Sequence, residues 1–154
     1  MKKGIKVMAS AEDARLILQL YDLRREKVMR RARKFLLAEF HPQSIDDIRA
    51  VLSHPKKGAY YRQVTSFWDM AAALVNHGAI NAELFYECGG EYLGVWAKVS
   101  DFVPQMRQEI FSPLYLANLE RLIENQPNGA ERVQFFKAFF RRMAEQKPAK
   151  GKSS

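Results

Sequence analysis

Three histidines, one cysteine and two carboxylate pairs are the groups in this chain that could carry acid–base, nucleophilic or metal chemistry. His41, His54 and His77 lie 13 and 23 residues apart, and neither His-Glu-x-x-His nor Glu-x-x-His occurs. The second absence matters because di-iron bundles use that spacing to aim a carboxylate and an imidazole inward from one helix face. Each histidine instead precedes Pro or Gly, where its ring can meet the free carbonyls of a helix end. The expectation is therefore capping, with no metal and no cofactor. Glu83 with Glu87, and Glu120 with Glu124, each span one helical turn. Such pairs do acid–base work only when burial drives their pKa values apart, and amphipathic helices more often carry them on the solvated face. Cys88 beside Gly89 and Gly90 would need a neighbouring base to form a thiolate, so it reads as a small buried apolar residue. Gly151-Lys152-Ser153 matches the end of a phosphate-binding loop, but Gln146 stands where that loop needs its first glycine. No catalytic constellation emerges, and the expectation is a non-enzymatic protein.

Positive charge is the stronger signal. The chain carries a formal net charge of +8, and its distribution decides what that means. Lys2, Lys3 and Lys6 form a basic arm in residues 1–10, and Lys147, Lys150 and Lys152 lie in a polar tail at 147–154 that should be disordered. Without those six, residues 11–146 hold 19 basic and 17 acidic side chains. Within that body, 24–34 sets Arg24, Arg25, Lys27, Arg30, Arg31, Arg33 and Lys34 against Glu26 alone. The basicity is two tails and one helical segment on a slightly acidic body. Arg24, Lys27, Arg30, Arg31 and Lys34 form an arc opposite the apolar stripe, able to meet phosphates or an acidic protein surface. No helix-turn-helix spacing places this arc in a DNA groove. Arg25 is the exception, because at 100° per residue it projects from the apolar stripe and must snorkel, pair with an acid such as Asp22, or reach a partner's acid.

The elements that would position these groups are helices. Apolar spacing is helical throughout, and no stretch alternates with period two for long enough to make a strand. Ser10-Ala11-Glu12-Asp13 starts a pattern that runs to about Phe40, predicting a first helix on the order of 45 Å long. Ser44 caps a second helix ending near His54-Pro55, 55–59 reads as a loop, and a third helix runs from Tyr60 to His77-Gly78. Asn81 caps a short fourth. Tyr92, Trp96, Val99, Val103, Met106 and Ile110 form a seam, with a kink expected near Ser100-Asp101 because of Pro104. Ser112-Pro113 predicts the start of a sixth helix, and Asn128 with Glu131 the start of a seventh. With 154 residues there is room for one domain. The prediction is an all-α, single-domain bundle of six or seven helices over 11–146, with the long first helix and the Trp96 helix as its spine.

Aromatic residues crowd the last helix. Phe135, Phe136, Phe139 and Phe140 with Met143 cover an arc too broad to bury against one neighbour. Core packing is the ordinary account, and a homo-oligomer interface is the functional one, because Phe and Met mark buried interface centres. Trp68 and Trp96 could line a ligand pocket, but aromatics at helical spacing usually belong to a core.

Phe67-Trp68-Asp69-Met70, Leu74-Val75, Gly78-Ala79-Ile80, Tyr92 and Trp96, followed by Pro104 and Arg107, give the middle of the chain a family character. Over residues 60–110 it resembles a bacterial all-helical family defined as a domain of unknown function. The resemblance implies a helical fold and assigns no activity or catalytic residue. Many relatives place membrane-spanning segments ahead of this domain, where this chain has its charged first helix.

No apolar run approaches the ~18 residues of a membrane span, and Lys6 interrupts what Lys2 and Lys3 could begin as a signal peptide. A single cysteine permits no intrachain disulfide. These features predict a cytoplasmic interaction or regulatory protein that pairs with itself or with an acidic protein surface. The alternative is a nucleic-acid-associated protein using the same basic arc.

Overall fold

A computed structural model describes residues 7–146, so residues 1–6 of the basic arm and the tail at 147–154 lie outside the described residues. All regular structure among the described residues is helical. The order is α1 (Ala11–Arg24), α2 (Lys27–Lys34), a π-helical turn (Phe35–Glu39), α3 (Ile45–Ser53), α4 (Pro55–Asn76), α5 (Ala82–Glu87) and α6 (Glu91–Val99). A 3-10 turn (Ser100–Phe102), α7 (Val103–Glu109), α8 (Ala117–Asn125) and α9 (Gly129–Glu145) follow.

Two helices form the centre. On α4, Tyr61, Val64, Trp68, Ala71 and Ala72 are buried against α2, α3 and α8. α6 is buried on almost every face, through Tyr92, Leu93, Val95 and Val99, and packs against α9 and α8. The spine is therefore α4 with the Trp96 helix α6, and α1 lies at the periphery.

The long first helix is not formed. It breaks at Arg25-Glu26, where Glu26 adopts an extended backbone and its carboxylate caps α2 by accepting from the Met29 N–H at 2.9 Å. The break resets the register: Met29 faces the core, while Val28 and Arg25 face solvent. Arg25, the C-cap of α1, is exposed because α1 turns Ile17, Leu20 and Arg24 inward, so it needs no acidic partner. After α2 the chain widens into the π-helical turn, closed by the Phe40 N–H on the Phe35 carbonyl at 2.9 Å.

Ends of the helices follow local chemistry. Ser10 with Asp13, and Ser44 with Asp47, make complete capping boxes, Asn81 caps α5, and Gly78 at φ 78° closes α4. The segment 55–59 is helix rather than loop, because Pro55 suits the first turn and His54 Nδ1 accepts from the Lys56 and Lys57 N–H groups. The kink near Ser100-Asp101 is present, with Pro104 in the first turn of α7. α8 begins later than Ser112-Pro113 implies. Its N-terminus is capped from a distance by Asp69 of α4, which accepts from the Leu119 N–H at 2.9 Å and from Asn118 Nδ2 at 3.1 Å. α9 starts at the expected place, yet Asn128 makes no side-chain cap.

Candidate functional site

The basic segment divides into a buried part and an exposed part. Arg24, at the C-terminal end of α1, and Arg33, on α2, both turn inward to Glu91 in the first turn of α6. Arg24 Nη2 donates to Glu91 Oε2 at 2.7 Å. Arg33 makes a forked contact, Nε to Oε1 at 2.8 Å and Nη2 to Oε2 at 2.6 Å. The Trp68 indole N–H adds a fourth donor at 3.1 Å to Oε1. The side chains of Arg24, Arg33 and Glu91 are only 16%, 23% and 11% exposed.

This cluster is held from several sides. The Arg24 guanidinium lies 4.5 Å from the centre of the Tyr21 ring and 5.7 Å from Trp68, and the Tyr21 hydroxyl donates to the Cys88 carbonyl at 2.7 Å. Burial pushes the Tyr21 phenol up, while the bond to Glu91 raises Arg33 further above its ordinary range. The guanidiniums stay charged and the carboxylate accepts from both. Such a set is a structural clamp joining α1, α2, α4 and α6. Arg24 is thereby removed from the exposed basic arc, because its charge is neutralised inside the bundle.

Lys27, Arg30 and Arg31 remain on the solvent face of α2, with no carboxylate within 4.0 Å among the described residues. Lys34 is also exposed and reaches the Glu39 carboxylate only at 4.0 Å. At that end of α2, the Phe35 ring meets Tyr60 at 6.2 Å, and Lys56 Nζ lies 5.9 Å from the same tyrosine. The end of α2 therefore packs beside the basic start of α4. With Arg33 and Arg24 spent internally, this is a surface of exposed cations on a rigidly clamped helix.

A second polar centre lies under the π-helical turn. Lys98 is 6% exposed, and its ammonium donates to the Phe40 carbonyl at 2.6 Å. It also donates to His41 Nδ1 at 3.0 Å, leaving His41 Nε2 to donate to the Ala38 carbonyl at 3.2 Å. The Phe140 ring centre is 4.0 Å from the ammonium, which joins α9 to the set. The open cleft beside it, about 900 Å³, is bordered by His41, Lys98, Phe102, Gln134, Lys137 and Arg141. Lys137 is paired with Asp101 at 2.7 Å.

The remaining sequence candidates separate. Glu83 and Glu87 are exposed, and Glu120 binds Arg107 at 2.6 Å while Glu124 stays in solvent, so neither pair forms a joint acid–base unit. Cys88 is exposed, not buried as expected, because it caps the end of α5 at the surface, and it serves Tyr21 through its carbonyl. Burial raises Tyr61, and raises Tyr115 to about 12, so this hydrogen-bonded phenol pair, 2.8 Å apart, is neutral and structural. No group of three His, Cys, Asp or Glu side chains among the described residues is close enough to hold a metal ion.

The aromatic arc of α9 also divides. Phe136 and Phe140 lie against α6, where an ideal Cβ on Gly94 would sit 3.4 Å and 3.5 Å from their rings. Met143 is partly buried on the same core. Phe135 and Phe139 point outward, 64% and 41% exposed. Only these two of the five stand available to a partner.

Glu91 and Lys98 were not visible as candidates in the sequence. The available signal was that Tyr92-Leu93-Gly94-Val95-Trp96-Ala97 is apolar on all sides, which forces charges flanking or entering that helix to find partners inside.

The described residues form an all-helical bundle whose best-defined polar feature is the clamp around Glu91. The chain belongs to the family described as domain of unknown function DUF4760, which matches residues 9–126. The match extends well beyond the 60–110 segment that carries the resemblance in sequence, taking in α1 to α8, and α9 lies past it. No curated protein and no solved structure matches the chain. No helix among the described residues is long and apolar enough to cross a membrane.

Proposed function

We propose that this chain is a non-enzymatic, cytoplasmic interaction module of a bacterial cell, which docks an acidic protein surface on the outward face of α2. One observation carries the reading. Lys27, Arg30 and Arg31 stand on a short helix whose other arginine is locked to Glu91, and no carboxylate of the described chain lies within 4.0 Å of them. Glu26, one helical turn before Arg30, is the acid that acts on this face, but its carboxylate is committed to capping the Met29 N–H. Cations on a fixed helix with no carboxylate in ion-pair contact raise the association rate with an anionic surface and orient it.

The test uses the full chain and its Lys27→Glu/Arg30→Glu/Arg31→Glu variant. Fluorescence anisotropy is read with a labelled glutamate-rich peptide, a duplex DNA and a single-stranded RNA at low and moderate salt. Binding of the acidic peptide that weakens with salt and is lost in the variant supports the reading. Selective binding of DNA or RNA through the same three residues would replace the acidic protein with a nucleic acid. Absence of binding to every probe at low salt would overturn the docking role of α2.

A further inference from the structure

We infer that the outward face of α9 is a self-complementary interface through which two copies of this chain pair antiparallel about a two-fold axis. α9 has two faces with different chemistry. Its inward face, Phe136 and Phe140, lies on the flat surface offered by Gly94 of α6. Taking Phe135 as zero and 100° per residue, Glu131, Phe139 and Arg142 all fall within about 40° of it. All four side chains are exposed. The stripe therefore reads acid, aromatic, aromatic, base along the outer side of the helix.

That order is directional, and it selects both the occupant and its orientation. When a second α9 lies antiparallel with Phe135 opposite Phe139, Glu131 of each copy comes within one residue of Arg142 of the other. The same two contacts recur on both sides of the axis, as an isologous interface requires. A parallel pair would set Glu131 against Glu131 and Arg142 against Arg142. No carboxylate–cation pair within 4.0 Å engages Glu131 or Arg142 among the described residues, so both are available for such contacts.

The aromatic centre is already ordered. The Phe135 ring stands edge-on to Phe136 at 5.9 Å and 84°, and Phe139 stands edge-on to Phe140 at 5.6 Å and 65°. Each exposed ring is thus propped by a ring that packs on α6, and little rotamer freedom is lost when a partner covers it. Aromatic anchors inside a charged rim are the arrangement that concentrates binding energy at an interface. A single helix pair about 25 Å long is small for a permanent dimer. The structure accordingly points to a reversible dimer with a dissociation constant on the order of 10 µM.

Sedimentation equilibrium of the full chain up to about 300 µM tests this. The expected result is a monomer–dimer equilibrium that Phe135→Ser/Phe139→Ser weakens at least about tenfold. Because both residues are exposed, thermal melts should show the variant folded. Glu131→Arg alone and Arg142→Glu alone should each weaken the dimer roughly tenfold, since each places like charges together twice. The double variant Glu131→Arg/Arg142→Glu should return to the parent affinity, and an equimolar mixture of the two single variants should form the heterodimer. A monomer throughout the range overturns the inference. So does a dimer indifferent to the Phe pair, or charge variants without loss and rescue.

Discussion

Arg24 and Arg33 donate to the same carboxylate, that of Glu91, although nine residues separate them. In an unbroken α-helix nine residues turn the chain through about 900°, which sets the two side chains on opposite faces. The break at Arg25-Glu26 is what brings them together. Glu26 caps the new helix, and Arg33 Nη1 reaches the Arg24 carbonyl at 3.4 Å, covering one of the carbonyls left free at the end of α1. The bend, the cap and the buried carboxylate thus form one device, and each part accounts for the others.

Glu91→Gln is the sharpest probe of that device. Removing the negative charge leaves two guanidiniums facing one neutral amide, in a site where Arg24 Nε already has no hydrogen-bond partner. Loss of one partner from a buried ion cluster costs about 3–5 kcal/mol. For a domain of this size the melting temperature should fall by roughly 10 °C. Arg24→Met/Arg33→Met/Glu91→Gln should melt above the single variant, because the stranded cations are gone while the introduced amide can still accept from the Trp68 indole. A melt of Glu91→Gln within about 1 °C of the parent would show that the clamp carries no stability.

Arg25→Met separates the observed register from the one a continuous helix would impose. On an unbroken first helix Arg25 would project from the apolar stripe, and methionine would improve packing there. With the break, Arg25 is exposed. The substitution should change stability by less than about 0.5 kcal/mol in urea titration. A gain above about 1 kcal/mol would argue that α1 and α2 are continuous in solution.

Helix class and most helix ends were legible because they depend on residues close in sequence. Ser10 with Asp13, Ser44 with Asp47, Asn81 and Gly78 act within a few positions of themselves, and each does what its type implies. The break at Arg25-Glu26 was illegible because no Pro or Gly marks it; its stabilising contact, Glu91, is 58 residues from Arg33. Asp69 capping α8 and His54 capping α4 were missed for related reasons. A remote carboxylate leaves no local signature, and an imidazole acceptor before Pro55 resembles a helix stop. The basic arc was read as five equivalent cations, and only the fold distinguishes Arg24 from the others. The α9 aromatics were likewise read as one group, since nothing in their spacing reveals that Gly94 creates a place for Phe136 and Phe140 alone.

Gly89→Ala tests how tightly the α5–α6 corner is built. Gly89 has φ of 152°, a backbone region that L side chains rarely adopt, and an ideal Cβ there would collide with the Tyr21 hydroxyl. That hydroxyl cannot withdraw without giving up its bond to the Cys88 carbonyl. Strain and the lost hydrogen bond together should cost about 2–4 kcal/mol. Gly89→Ala/Tyr21→Phe should recover part of the loss, because it removes the clashing oxygen but leaves the backbone strain. Equal melting of the two variants would mean that the hydroxyl is not the obstacle.

Asp13 gives the bundle an acid-sensitive join between α1 and α5. Its carboxylate accepts from the Ser10 N–H at 2.6 Å, from the Ser10 hydroxyl at 2.8 Å and from the Asn81 N–H at 2.8 Å. These bonds, led by the Ser10 backbone, hold its pKa below the ordinary carboxylate value. A pKa lower in the folded state than in the unfolded chain means that the unfolded chain binds the proton more readily. The stabilisation is therefore complete above the ordinary aspartate pKa of about 4 and is lost as pH falls through the lower folded value. Asp13→Asn should melt below the parent by a constant margin between about pH 5 and pH 8. The margin should narrow below about pH 4 and close once the parent carboxyl is protonated. Melts recorded across that range decide the matter: a margin that persists unchanged to about pH 2 would show that the side chain acts by shape and not by charge.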